Sequence, residues 1–476
     1  MYAGFGLFIN GSWQAGSGTA EILSPVTGQP LGRVATASAS DTAAALDAAA
    51  TGFDAWSAAS AFARADALHR IADEMSARTD AAGRMIALET GKPIAQAGRE
   101  WGLAVDQFRW YAEEARRIYG RTVESRVPGG RFEVSHTPVG IVGAFTAWNF
   151  PAALPARKIA PALAAGCSVV LRPSSQTPGV AMVMFDCLQA GDLPPGTVNL
   201  VVGATADTYG PIMADKRVRK VSLTGSTRVG QQMLRDAAET VKQVSMELGG
   251  NAPLIVFDDA DLETTLDLAV PTKFANAGQV CVTPDRFFVH ERIHDAFVAG
   301  FVRRAEALKL GDGIDPSVQM GPLINARRID EVTAVVDQAI AEGARLLTGG
   351  GRAAGFNAGH FMAPTVLADV TDDMRVFAEE NFGPVAAITR FGDDDEVLER
   401  ANACDMGLSA YAFTQSPRRA RRAVAELRAG MVGVNSFALA ASEAPFGGVN
   451  HSGMGREGGP EGIGAYLETR LAQVVF

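Results

Sequence analysis

The stretch Val218-Arg219-Lys220-Val221-Ser222-Leu223-Thr224-Gly225-Ser226-Thr227-Arg228-Val229-Gly230 decides the fold. A short run rich in Val and Leu passes through a Gly-Ser turn into a segment that opens a helix. The same alternation precedes it. Ile141 to Phe145, Ser168 to Leu171 and Val198 to Val201 read as strands, with helices near 153–165, 178–190, 204–215 and 226–238. Strands and helices alternating at this length favour a parallel sheet with helices on both faces. Such sheets bind ligands beyond the carboxyl ends of their strands.

Upstream, the first 120 residues are Ala-rich and read mainly as helices. Leu68, Ile71 and Met75 keep a helical period, with Arg70, Asp73 and Glu74 on the other face, and Gly91-Lys92-Pro93 breaks two helices. Val123 to Val134 reads as a hairpin turning at Pro128-Gly129-Gly130. Downstream, Leu254 to Phe257 as strand and Asp261 to Val270 as helix begin a second alternating block. Gly349-Gly350-Gly351 and Ala353 to Gly359 read as loops, Val432 to Asn435 as a late strand, and Gly447 to Gly459 as a Gly-rich loop.

A chain of 476 residues supports two or three domains. Lys plus Arg number 43 and Asp plus Glu 53, a net charge of −10 that argues against a nucleic-acid surface. Cys167, Cys187, Cys281 and Cys404 stand far apart and six histidines are scattered, so neither a disulfide framework nor a metal site is expected. No secretory signal or membrane-spanning run is read, and a cytoplasmic location is expected.

Cys281 closes the run Asn276-Ala277-Gly278-Gln279-Val280-Cys281. A free cysteine is more often a buried structural thiol, but flanking Gly and Gln suit a turn that exposes a nucleophile. Glu247 ends a strand-like stretch and precedes Gly249-Gly250. It is either a solvated strand-end carboxylate or a general base whose pKa an apolar pocket raises. Asn149, in Trp148-Asn149-Phe150-Pro151, is either a turn residue or an amide donor for an oxyanion. Ser226 is read as capping a helix whose N-terminal amides favour a phosphate, although the fingerprint G-x-G-x-x-G is absent.

Together these motifs resemble the aldehyde dehydrogenase family over nearly the whole chain, from Phe8-Ile9-Asn10-Gly11 to Tyr466-Leu467-Glu468-Thr469. Glu247-Leu248-Gly249-Gly250-Asn251-Ala252-Pro253 and Phe257-Asp258-Asp259-Ala260-Asp261-Leu262 resemble the succinate-semialdehyde dehydrogenase branch. The resemblance implies an α/β fold with a Rossmann-like NAD(P)-binding domain (1–120 and 139–248) and a catalytic domain (249–460). It also implies oligomerisation segments (121–138 and 461–476) that bridge a homodimer or homotetramer. The implied nucleophile is Cys281, the base Glu247, and the oxyanion donor Asn149, helped by the Cys281 backbone amide. The implied cofactor contacts are Thr146, Trp148, Arg172, Ser174, Ser175, Gly225, Ser226, Leu248, Glu380 and Phe382. The implied substrate contacts are Arg157, Phe150, Val280 and Val282.

The chain also departs from the family pattern. Arg172 stands where a Lys is usual, and Ser175 where many NAD-selective members carry Glu. Loss of that carboxylate and gain of a guanidinium suggest that NADP is accepted, alone or beside NAD. Arg157 matches an arginine that grips a distal carboxylate, but the second such arginine is replaced by Ala275. Ala438 to Ala441 replace a Ser-bearing loop, and Asn450-His451 a Lys-bearing pair. The substrate is therefore expected to be an anionic aldehyde, succinate semialdehyde or a related carboxylated or sulfonated one. The rival readings are a CoA-acylating enzyme, which would not need Glu247, a thiol hydrolase without redox chemistry, and a non-catalytic relative.

Overall fold

The computed structural model describes Tyr2 and residues 4–476. An eight-stranded sheet runs in the order Ser12–Gln14, Leu7–Ile9, Val198–Leu200, Ser168–Arg172, Ile141–Phe145, Val218–Thr224, Gln243–Glu247, Gly453–Met454. Its five inner strands are mutually parallel, and antiparallel strands close both edges. Ile141–Phe145 is buried at every position, as a strand covered on both faces must be. The chain adds strands to one side of Ile141–Phe145 and then returns to add Val218–Thr224 on the other. That reversal leaves a crevice beyond the carboxyl ends of these two neighbours.

A seven-stranded sheet follows: Arg345–Thr348, Thr365–Ala368, Val385–Phe391, Pro284–His290, Ala252–Val256, Ser409–Phe413, Met431–Val434. All pairs but the first are parallel. It has its own apolar core, including Phe274, Phe287, Phe288, Phe301 and Tyr411. A three-stranded antiparallel sheet joins Arg121–Glu124, Gly130–Pro138 and Leu467–Val475, so the expected hairpin pairs with the last strand of its own chain. Leu471 and Val475 on that last strand, and Phe476 just after it, are exposed.

The expected helices form at 153–165, 178–188, 205–214 and 227–238. Thr79–Thr90 ends at Gly91, whose φ of 76° is left-handed, and Ile94–Ala115 begins beyond Pro93. The N-terminal reading needs correction. Before the first helix lie Leu7–Ile9, Ser12–Gln14, Gly18–Leu23 and Pro30–Thr36. The first two are joined by Asn10-Gly11, both at positive φ, a two-residue hairpin turn. The Gly-rich loop also carries short strands, Val449–Asn450 and Gly453–Met454, and the second returns the chain to the first sheet well before residue 460. Among the described residues, no helix is long and apolar enough to cross a membrane.

Candidate active site

The crevice holds a cleft of about 850 Å³ lined by Ala147, Trp148, Asn149, Leu154, Thr224, Gly225, Ser226, Leu248, Gly249, Cys281, Arg328, Glu380 and Phe382. It thus brings together Cys281, Asn149, Trp148, Gly225, Ser226, Leu248, Glu380 and Phe382 from the residues expected at a site. Two come from the loop after Ile141–Phe145, and two from the turn after Val218–Thr224. Cys281 and Glu380 are contributed from the second sheet's side, so the cleft lies between the two units.

Cys281 follows a left-handed turn in which Asn276, Ala277 and Gly278 have φ of 46°, 55° and 72°. Such backbone is costly for residues other than glycine and persists where surroundings hold it. Gly278 has no alternative, because a Cβ there would lie 2.0 Å from the Gly383 carbonyl oxygen. Gln279 does not help to expose the thiol, contrary to expectation. It is fully buried, accepting from Ile324 N–H at 2.9 Å and donating to the Asn276 carbonyl at 2.9 Å. It ties the turn down, and Cys281 itself is half-buried. Burial pushes the thiol up to about 12, the Glu380 and Glu247 carboxylates add to this, and Arg157 opposes them.

Glu247 ends the strand Gln243–Glu247 and is buried. Its backbone carbonyl accepts from Gly225 N–H at 3.0 Å, which fixes strand end and turn together. Its Oε2 has no hydrogen-bond partner. Burial raises its pKa well above the usual carboxylate range. The Glu457 charge adds to this, while Lys158, Arg157 and Arg456 oppose it. Glu380 is pushed up to about 8 by burial, although Gly250 N–H donates to its Oε1 at 2.9 Å. Close backbone approach after Glu247 is realised: a Cβ on Gly250 would sit 2.3 Å from the Cys281 carbonyl oxygen.

Asn149 is buried, and its side-chain amide donates to the Gln279 carbonyl at 3.2 Å. Trp148 meets Phe382 edge-on, with ring centroids 5.6 Å apart. Arg328 donates to the Asn381 and Phe382 carbonyls at 2.8 and 3.2 Å and so holds the Glu380 loop. Ser226 stands at the N-cap of Thr227–Ala238, but its hydroxyl makes no capping bond, which corrects the expectation; no side chain caps that helix.

The remaining expected residues lie outside the cleft lining. Thr146 is buried with its hydroxyl unpartnered, and its N–H donates to the Arg172 carbonyl at 3.3 Å. Arg172 donates through Nη2 to the Gly203 carbonyl at 3.3 Å and keeps a buried, unpartnered Nε; burial lowers its pKa. Ser174 accepts from Gln176 N–H at 3.2 Å, and Ser175 is exposed. Phe150 lies under the Lys92 ammonium, 4.2 Å from ring centroid to Nζ. Val282 packs with Cys281 against Leu408, Met431 and Phe446, whereas Val280 is half-buried beside them in sequence.

Arg157 sits in the helix Ala153–Ala165, every residue of which is buried. Its guanidinium lies 4.6 Å over the Phe446 ring, and its Nη1 has no partner. Among the described residues it joins no ion pair. The next residue, Lys158, pairs with Glu457 at 2.5 Å and donates to Ser222 at 3.1 Å. Sequence reasoning missed Lys158, Glu457, Arg328, Lys92, Glu100 and Asn276. Two cations inside an otherwise apolar helix were a signal for Lys158; the others had none beyond their proximity to a motif.

This site, on this pair of sheets, belongs to an oxidoreductase class. The chain is a member of the aldehyde dehydrogenase family, whose model matches residues 13–472. It is 42% identical over 450 residues, 94% of this chain and 91% of the relative, to a probable succinate-semialdehyde dehydrogenase [NADP(+)] of Sinorhizobium fredii. It is 43% identical over 465 residues, 97% of this chain and 95% of the relative, to a 3-sulfolactaldehyde dehydrogenase of Pseudomonas putida. The crystal structure of succinate-semialdehyde dehydrogenase from Burkholderia pseudomallei superimposes with a TM-score of 0.97 at 40% identity, covering 99% of this chain and 98% of that one.

Proposed function

We propose that this chain oxidises a small anionic aldehyde to its acid, with NADP or NAD as hydride acceptor, through a thioester on Cys281. The observation that carries this reading is the meeting of Cys281 and Asn149 in one cleft with an uncapped helix N-terminus and Glu380. The cofactor fits the residues present. The helix amides favour a pyrophosphate. Buried polar atoms without partners, Thr146 Oγ1 and Arg172 Nε, lie at the adjacent strand ends. Gly225, Ser226 and Leu248 would hold the pyrophosphate end, Glu380 and Phe382 the nicotinamide end, and Arg172, Ser174 and Ser175 the adenosine ribose. The bound nicotinamide supplies the acceptor for the hydride that leaves the aldehyde carbon.

The chain's own residues do the rest. The Cys281 sulfur bonds to the aldehyde carbon, and the carbonyl electron pair moves to oxygen. The free N–H of the Asn149 amide and the Cys281 backbone N–H stabilise that oxyanion. The thiol proton needs an acceptor, because burial holds the thiol up to about 12. Water reaching the half-buried thiol takes it, which leaves Glu247 unprotonated for the second stage. In the second stage Glu247 removes a proton from water, the oxygen bonds to the thioester carbon, and the carbon–sulfur bond breaks. A carboxyl whose pKa burial has raised is a stronger base than an ordinary glutamate. This role favours hydrolysis over transfer to CoA.

A buried guanidinium without a counter-ion is costly. Arg157 is in that state, which supports an anionic substrate as its partner. Ser175 in place of an acidic residue, beside Arg172, supports acceptance of NADP. Initial rates over anionic and neutral aldehydes, with each cofactor and with or without CoA, test the reading. It predicts free acid as product, a preference for carboxylated or sulfonated aldehydes, and turnover with NADP. Equal rates on neutral aldehydes would remove the anionic assignment, and strict NAD use would remove the NADP one.

A further inference from the structure

A ring of hydrogen bonds joins the turn that delivers Cys281 to the loop that delivers Asn149. The Asn276 side-chain amide donates to the Gln279 carbonyl at 3.2 Å and to the Asn149 backbone carbonyl at 3.2 Å. The Asn149 side chain closes the ring on Gln279 at 3.2 Å. The Asn149 carbonyl takes a second donor, Lys92 Nζ, at 2.7 Å. Lys92 is paired with Glu100 at 2.5 Å, and both side chains are 1% exposed. The other Glu100 oxygen accepts from Ala152 N–H at 2.7 Å and Ala153 N–H at 3.4 Å, where the helix Ala153–Ala165 begins.

Two groups in this ring are filled, whereas Asn149 Oδ1 has no partner. A backbone carbonyl accepts two hydrogen bonds, and an amide side chain donates two. Both acceptor positions of the Asn149 carbonyl and both protons of the Asn276 amide are taken. A side-chain amide is planar, so one Asn149 N–H committed to Gln279 fixes the direction of the other. A buried Lys–Glu pair gives little stability that an apolar pair of equal volume would not. An apolar pair would not donate to the Asn149 carbonyl or accept from the first amides of the next helix.

We propose that Lys92 is a positioning residue for the oxyanion chemistry. With Asn276 it saturates the Asn149 backbone carbonyl and so holds the free N–H of the Asn149 side chain in the cleft shared with Cys281. This rests on the reading of Asn149 as the oxyanion donor.

The test is the first-turnover rate of hydride transfer in the full-length enzyme, measured as the burst of reduced cofactor. Lys92→Met with Glu100→Gln removes the ammonium without leaving a buried charge alone, and the glutamine still accepts from Ala152. The expected result is a fall of roughly ten- to a hundredfold, the cost of small misplacement of a catalytic group. Cofactor affinity and alkylation of Cys281 by iodoacetamide stay within about twofold. Adding Asn149→Ala to this variant costs much less than Asn149→Ala costs alone, because both act on one amide. If the pair variant folds poorly, Asn276→Gly suits the left-handed backbone and removes the second donor; it gives the same pattern in smaller degree. An unchanged burst in either variant overturns the proposal, as does a loss that multiplies fully with Asn149→Ala. A normal burst in Asn149→Ala alone instead overturns the underlying reading, and Lys92 then has nothing to position.

Discussion

The two sides of Cys281 are built differently. On the Asn149 side, Asn149, Asn276, Gln279 and Lys92 bond one another in a ring that leaves Asn149 Oδ1 alone without a partner. On the Glu247 side, Glu247 Oε2, Arg157 Nη1 and Glu457 Oε2 are all buried without partners. Unpaired polar atoms inside a protein are expensive, so such a cluster marks a place completed by something else. The Asn149 side is tied together before substrate arrives, which suits the electrostatic stabiliser of a transition state proposed for it. In the function proposed above, the Glu247 side is left for the substrate anion and the attacking water.

The largest expected effect is that of removing the sulfur. Cys281→Ser should lower aldehyde oxidation by about four orders of magnitude or more, as loss of a nucleophile does. Full activity there would dissolve the comparison, since neither side would have a reaction to serve. Next comes the pre-built side: Asn149→Ala should slow the first turnover by roughly two to three orders, with cofactor binding intact.

The open side should behave in the opposite way towards stability. Arg157→Met should raise the Michaelis constant for anionic aldehydes by about tenfold or more while leaving neutral ones little changed. The same substitution should raise the melting temperature, because it removes a buried charge that has no partner. A fall in melting temperature would mean that Arg157 is satisfied in the resting protein. The pH profile sharpens the same contrast. Glu247 works as a base only when unprotonated, and burial raises its pKa. Deacylation should therefore fall as pH drops through values above the ordinary carboxylate range. In Glu247→Gln, residual deacylation should lose that acid limb. The smallest expected change is Ser175→Glu, which should weaken NADP use relative to NAD by roughly tenfold through charge repulsion.

The parallel core of the first sheet was legible because its strands are continuous apolar runs, and Ile141–Phe145 forms over the residues expected. Leu7–Ile9 and Ser12–Gln14 were not, because three-residue strands carry no period; Asn10-Gly11 was their one local signal. Cys281, Asn149 and Glu380 were legible as motifs and do meet in the cleft. Gln279 was misjudged, because its partner Ile324 lies 45 positions away. Lys92 and Asn276 escaped for the same reason, reaching Asn149 across 57 and 127 positions. A local pattern names the group that reacts, but contacts between distant segments decide where it points.

The most direct test of the account is a trapping experiment with Glu247→Gln. Mixed with aldehyde and oxidised cofactor, the variant should release one equivalent of reduced cofactor in a burst and then stall. Mass spectrometry should then find the peptide bearing Cys281 heavier by the aldehyde less a hydride and a proton. Steady turnover without that adduct, or an acyl group on any other residue, would contradict it.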